Sequence, residues 1–434
     1  MNSSLLADLL EFTRDGEWGK GEPGPGLVEM GVIRGTDFAN IRRGDLSSIP
    51  VRYIPEKVAL RKQLQANDIL FETAGGTKDQ PTGRSVFIPE RLIKGSPRPL
   101  TCASFARFLR ADTAKIEPRF LFWYLQYLWN ERLIYQYHIQ HTGVARFQYT
   151  QFASEQRVPY GDREEQVNIA TTLAALDDKI ELNRKTAATL EEMARALYRS
   201  WFVDFDPVRA RAEGRAPAHM DAATAALFPD SFGEDGLPVG WQFASIYEVA
   251  RVQYGAPFAS AKFNTSKEGR PLVRIRDLKS HQPGVWTTEV LRNEFLIRPG
   301  DIVVGMDGDF TPFTWCSSEA LMNQRVCCFV PGREHDRAFV RLCISGLLKT
   351  EAEAAVATTV IHLGKKDIDK FQVPLASQEV MAAFSGLALP WHRKVVALGL
   401  ENHTLASLRD TLLPRLMSGE LRVGAACELI EAVA

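Results

Sequence analysis

From Asp162 onward, apolar or small side chains recur at 173, 176, 180, 187, 190, 194, 197 and 201, and Asn183 alone interrupts the stripe. Steps of three and four trace one face of an α-helix, here with a heptad seam. Asp162 is placed to cap the helix, with Glu165 three residues on as a capping-box partner. The pattern predicts a helix to about Phe202, ahead of Pro207. Roughly 40 residues at about 1.5 Å each give a rod of about 60 Å. A second stripe begins near Ser377 and carries Val395, Leu398, Leu405, Leu408 and Leu412, with Asn402 on the seam and an end by Pro414. Equal helices of this kind in one chain are expected to pack together as an antiparallel coiled coil. Leu176, Ile180, Leu190 and Leu197 would face Val395, Leu398, Leu405 and Leu412, and the seam asparagines would set register. Two independent amphipathic helices, each on its own domain, remain the alternative.

The regions before each helix mix short strand-like runs with turns. The first has Asp68–Phe71, Ser85–Ile88 and a helix over about 118–137. The second has Pro271–Ile275, Asp301–Val304, Arg325–Val330 and a helix over about 337–356. The two halves repeat. Val158-Pro159 and Val373-Pro374 precede the helices at an offset of 215 that persists along them. Upstream, 65–70 resembles 298–303, 32–37 resembles 273–277, and 142–144 resembles 358–360. A repeat this long means a duplicated domain pair rather than a solenoid. The expected fold class is α+β, with two mixed domains separated by two long helices and an internal pseudo-twofold duplication. The expected boundaries are 1–160, first domain; 161–205, central helix; 206–237, solvated linker; 238–375, second domain; 376–420, second helix; 421–434, tail.

The charge total of −1 argues against a uniformly basic nucleic-acid coat. With 45% hydrophobic and 24% charged residues, the chain is also not an acidic disordered solvator. The total hides segregation, however. Residues 20–160 carry +7 and 238–375 carry +2, against −6 over 161–237. Positive charge on the two mixed domains is where phosphate contact would require it. Six cysteines, at 102, 316, 327, 328, 343 and 427, form no C-x-x-C pair. They read as reduced thiols rather than zinc ligands. No secretory signal or membrane span is expected, which points to the cytoplasm.

Catalytic spacings are missing: no phosphate-binding P-loop, dinucleotide fingerprint, nucleophile elbow, zinc helix or amino-methyltransferase tetrapeptide occurs. Asp307-Gly-Asp309 lacks the later ligands of a calcium loop and reads as a turn. What remains are polar loops after strands. Lys78, Gln80 and Arg84 lie in one, Arg146 and Gln148 in another, Asn323, Gln324 and Arg325 in a third, and Lys365 and Lys366 precede the second Val-Pro. Arg, Asn and Gln can pair with base edges and Lys can reach phosphate. Such loops can equally be turns whose side chains bond their own backbone.

Four segments give a resemblance. Leu173-Ala-Ala-Leu-Asp-Asp-Lys-Ile-Glu-Leu-Asn-Arg184 and Leu190–Pro207 resemble the central conserved region of the specificity (S) subunits of type I restriction–modification systems. Pro238-Val-Gly-Trp241 resembles the opening of their second recognition domain, and Leu412–Leu421 their C-terminal conserved end. The stretch Glu22-Pro-Gly-Pro-Gly26 looks like a variant loop of the family, with no assigned role. The resemblance covers nearly the whole chain. It implies a non-catalytic subunit in which two target-recognition domains read the halves of a split, asymmetric sequence in double-stranded DNA, with the helix pair as a ruler. It further implies two methyltransferase (M) subunits docked on the helices, restriction (R) subunits beyond them, and S-adenosylmethionine, ATP and Mg on those partners, with no cofactor on this chain. A stand-alone bipartite DNA-binding or scaffold protein, or a nuclease with an unrecognised site, are the other readings.

Overall fold

A computed structural model describes residues 2–75, 81–140, 145–355 and 362–432. Two long helices dominate it, a central one, Arg163–Phe202, and a C-terminal one, Gln378–Met417, each of 40 residues. The chain divides into two compact units, residues 1–181 with 404–434, and residues 182–403. Each helix therefore gives one segment to each unit.

In the first unit, Leu173, Leu176 and Ile180 share a buried cluster with Leu405, Leu412, Leu413 and Leu416. Arg409 pairs with Asp177 at 2.5 Å and Arg422 with Glu165 at 2.5 Å. The partners climb one segment as they descend the other, so the pairing is antiparallel. In the second unit, Asn183 Nδ2 donates to Asn402 Oδ1 at 3.1 Å. Nearer the other end, the rings of Trp201 and Phe202 lie 5.9 and 5.1 Å from that of Phe384. That is antiparallel again. Leu398 and Val395 are buried, but Leu190 and Leu197 are only half-buried. Leu190 instead borders a cavity of about 40 Å³ with Arg341, Trp391 and Val395.

The helix ends depart from the pattern. Asp162 Oδ1 accepts the Glu165 N–H at 2.8 Å as a cap, but the Glu165 carboxylate is spent on Arg422. The C-terminal helix runs through Pro390 and Pro414 to Met417 instead of stopping. A proline removes one intrahelical hydrogen bond. Here burial of Leu412, Leu413, Leu416 and Met417, all at 3% exposure or less, holds the last turns.

Each unit carries the same strand topology. In the first, Leu10–Asp15, Ala106–Ala111, Ile69–Glu72 and Ser85–Phe87 form an antiparallel sheet in that order; in the second, Ala250–Tyr254, Val326–Pro331, Ile302–Gly305 and Pro312–Thr314 do. Leu27–Ile33 pairs parallel with Leu100–Cys102 and antiparallel with Val51–Pro55. Arg270–Val273 does the same with Ala320–Met322 and Val285–Thr287. The Val-Pro strands close each domain at its helix, with Ser3 opposite Pro159 and Phe243 opposite Pro374. Even a local brace repeats. The Arg34 guanidinium caps Asp37 through two 2.9 Å bonds, and Arg274 caps Asp277 through bonds of 2.9 and 3.1 Å. The 65–70 and 298–303 match is also structural: Asp68 accepts the Gln65 N–H at 2.7 Å and Asp301 the Arg298 N–H at 2.8 Å. The 142–144 and 358–360 match lies outside the described residues.

Two expectations change. The helix beginning at Pro118, a favoured first-turn proline, ends at Asn130, and Arg132 then turns left-handed at φ 61°. The 206–237 stretch is anchored rather than simply solvated. It forms a helix at Asp206–Ala212 and buries Val208, Phe228 and Leu237 in the core of the second unit. Three widely spaced apolar residues in an Ala/Arg/Pro-rich run leave no periodic signal.

Each domain grips its helix differently. In the first unit, Arg42 reaches Asp177 at 2.6 Å and Arg91 reaches Asp178 at 3.4 Å. In the second, His392, at the position equivalent to Asp177, is buried with Nε2 3.3 Å from the Gly300 carbonyl oxygen. There the helix comes so close that a Cβ on Gly399 would stand 2.5 Å from that of Cys316. No helix among the described residues is long and apolar enough to cross a membrane.

Candidate nucleic-acid interface

Three chain segments are knotted together at the end of the central strand in each domain. In the first, the Thr73 N–H donates to the Phe105 carbonyl at 2.9 Å, and the Phe147 N–H donates to the Thr73 carbonyl at 2.9 Å. In the second, the Met306 N–H donates to the Arg325 carbonyl at 2.9 Å, and the Leu363 N–H to the Met306 carbonyl at 2.8 Å. The bridge between Ala74 and Arg146 recurs as one between Asp307 and His362. A glycine packs against the chain that leads into each knot. A Cβ on Gly16 would stand 2.0 Å from the Cys102 carbonyl oxygen, and one on Gly255 2.1 Å from that of Asn323. One backbone device is thus built twice and furnished differently. Ala74, Phe105 and Arg146 stand in the first copy where Asp307, Arg325 and His362 stand in the second.

In the first copy, Phe105 is 57% exposed, and Arg146 and Gln148 are also exposed. An exposed aromatic ring and an exposed guanidinium on segments joined at one knot suit stacked bases and phosphate. His138 closes the loop edge, its Nδ1 accepting the Thr82 N–H at 3.1 Å. In the second copy, the Asp307 carboxylate takes a 2.7 Å bond from His362 Nδ1 and lies 3.4 Å from Arg325 Nη1.

The sequence-derived candidates separate accordingly. Arg146 and Arg325 lie in the knots, and Gln148 and Gln324 are exposed next to them. Arg84 is not part of that surface. Its guanidinium clasps the carboxylate of Glu72, itself 2% exposed, at 2.5 and 2.9 Å and reaches the Gly35 carbonyl at 3.3 Å. Bonding to Glu72 raises its pKa further. A buried carboxylate needs such a partner, so Arg84 is a clamp inside the domain. Asn323 is half-buried, and its backbone forms the turn. Lys365, beyond the second knot, is bound to Asp369 at 2.8 Å, while Lys366 is exposed and has no ion pair with a described residue. Lys78 and Gln80 lie outside the described residues. Sequence reasoning passed over Phe105 because it weighed only polar loops. Asp307, in a Gly-containing turn, and His362, 55 residues further on, carry no spacing that joins them. The two positions are equivalent in the fold: 105 follows the strand that pairs parallel with Leu27–Ile33, and 325 the strand that pairs parallel with Arg270–Val273.

Other chemistry is sparse. Cys102, Cys316, Cys327, Cys328 and Cys343 are buried and only Cys427 is exposed. Burial pushes the Cys102 and Cys327 thiols up to about 12, which leaves them unreactive. No cluster of metal-binding side chains occurs among the described residues.

A family model described as the type I restriction modification DNA specificity domain matches twice, over residues 33–192 and 238–384. The chain belongs to that family. Each matched stretch of this specificity protein contains one knot. The chain is 26% identical over 313 residues to the type I restriction enzyme HindI specificity subunit of Haemophilus influenzae, covering 60% of this chain and 68% of that one. It is 26% identical over 320 residues to the MjaIX specificity subunit of Methanocaldococcus jannaschii, covering 69% of each. The crystal structure of a type I restriction–modification S subunit from M. genitalium shares the fold, with a TM-score of 0.52, 15% identity and coverage of 96% of this chain and 95% of that one. This specificity protein therefore recognises a DNA target, and its two domains suit a target in two parts.

Proposed function

We propose that each knot reads one half of a split, asymmetric sequence in double-stranded DNA. The carrying observation is that the same backbone knot recurs with different side chains at every outward position. Equal frames with unequal side chains present two different donor–acceptor patterns, so the two half-sites differ. Surrounding basic side chains supply phosphate contacts, which position each domain without reading sequence.

The helix pair is the spine on which two methyltransferase subunits dock, with restriction subunits assembling beyond them. S-adenosylmethionine, ATP and Mg are bound by those partners, and this chain contributes recognition. The complex works on chromosomal DNA in the cytoplasm. The test is base-resolution mapping of adenine methylation in cells with and without this chain, in the presence of an active methyltransferase partner. A split asymmetric motif that disappears on deletion is expected. A methylation pattern that deletion leaves intact would overturn the reading.

A further inference from the structure

We infer that Arg325 reads the guanine of a G·C pair in the half-site of the second domain, with Asp307 holding it in place. The inference rests on the DNA-recognition reading above and adds a specificity-determining residue to it. Arg325 is anchored through its backbone: its carbonyl accepts the Met306 N–H at 2.9 Å, and one residue on, the Val326 N–H bonds Asn323 at 2.9 Å. The side chain is 54% exposed. Among described residues, its side chain donates from Nη1 to Asp307 Oδ1 at 3.4 Å. Asp307 is in turn steadied by the 2.7 Å bond from His362. One end of the guanidinium is thus braced, and Nε and Nη2 bond no described residue.

Two parallel N–H groups in a rigid fork match the O6 and N7 acceptors of guanine in the major groove. A fork also fits phosphate, and the neighbouring carboxylate decides between them. Asp307 is 40% exposed at the same spot. A second anion there repels a phosphate, whereas a carboxylate can accept from the exocyclic amine of the paired cytosine. A guanidinium beside a carboxylate is therefore complementary to a G·C edge and poorly matched to the DNA backbone. The first copy has Ala74 and Phe105 at these positions, so this reading belongs to one half-site only.

The experiment uses the full chain in complex with its methyltransferase partner. Binding is measured to duplexes in which each base pair of the mapped target is replaced in turn. For the native chain, replacing one G·C pair in one half-site should weaken binding about 10- to 100-fold. With Arg325→Ala, discrimination at that pair should fall below about 2-fold while other positions keep theirs. With Arg325→Gln, preference there should move towards A·T, because Gln pairs with adenine N6 and N7. An unchanged profile overturns the inference. So does weakening or loss of binding by one factor across the whole panel, which would mark Arg325 as a phosphate contact. A native complex with no split target at all would overturn the underlying reading instead.

Discussion

Asp177 and His392 occupy the same position in the two repeats yet fasten their domains by opposite chemistry. Asp177 is charged and takes two arginines, Arg42 and Arg409. His392 is held neutral. Burial pushes its pKa down to about 4 against the upward pull of the bond to the Gly300 carbonyl, with smaller downward pushes from Arg337 and Arg341. His281, in the same unit, is also pushed down to about 4, mainly by burial. The direction of the effect follows. Between the ordinary histidine value of 6.5 and about 4, the unfolded chain takes up a proton that the native unit refuses. The stability is present above pH 6.5 and is lost as pH falls. By pH 5 the loss should be about 2 kcal/mol for each of the two histidines. Denaturant melts at pH 7 and pH 5 check this, and His392→Gln should remove about 2 kcal/mol of the loss. An unaltered pH response in that variant would mean that His392 is protonated in the native state. None of this was legible in the sequence, where all eight histidines look alike, because burial is a property of packing.

The long helices were the most legible elements. Helical periodicity is local, and the stripes at 173–201 and 395–412 placed both helices to within a few residues. Evenness along the seam was not legible. Leu176 is 3% exposed and Ile180 4%, whereas Leu190 and Leu197 are half-buried beside a different set of neighbours. Asp substitutions should therefore be graded. Leu176→Asp buries an unpaired carboxylate and should cost at least about 4 kcal/mol, abolishing both the fold of the first unit and assembly of the methylating complex. Leu190→Asp, beside Arg341 and Arg195, should cost about 1 kcal/mol. Equal midpoint shifts in urea for the two variants would contradict the burial difference. The anchored 206–237 stretch was missed for the complementary reason. Its buried residues are too far apart to make a period.

At the scale of the molecule, duplication is the organising fact. Each knot draws its contacts from its own copy, so the two halves of the target should respond separately. Replacing Phe105 and Arg146 by Ala should degrade sequence preference in one half of the methylated motif and leave the other intact. Arg325→Ala should do the reverse. Base-resolution methylation maps of the two variants decide the matter, and a change in both halves from either would sink the two-reader arrangement. Charge fits the same division. The basic excess of residues 20–160 and 238–375 lies on the two reading domains, and the acidic 161–237 segment offsets it.

The sequence by itself determined what local pattern can encode: two equal helices, a seam with Asn183 and Asn402, the 215-residue offset and the family resemblance. Tertiary structure alone decided which loop residues meet. Thr73, Phe105 and Phe147 are brought together by strand pairing across more than 30 residues of chain at each step, and no periodicity records such contacts. For the same reason Arg84, a surface reader by its loop alone, belongs to Glu72, and Phe105, with no polar signal, stands exposed at the knot. A side chain's role here depends on whether another part of the fold has already claimed its hydrogen bonds.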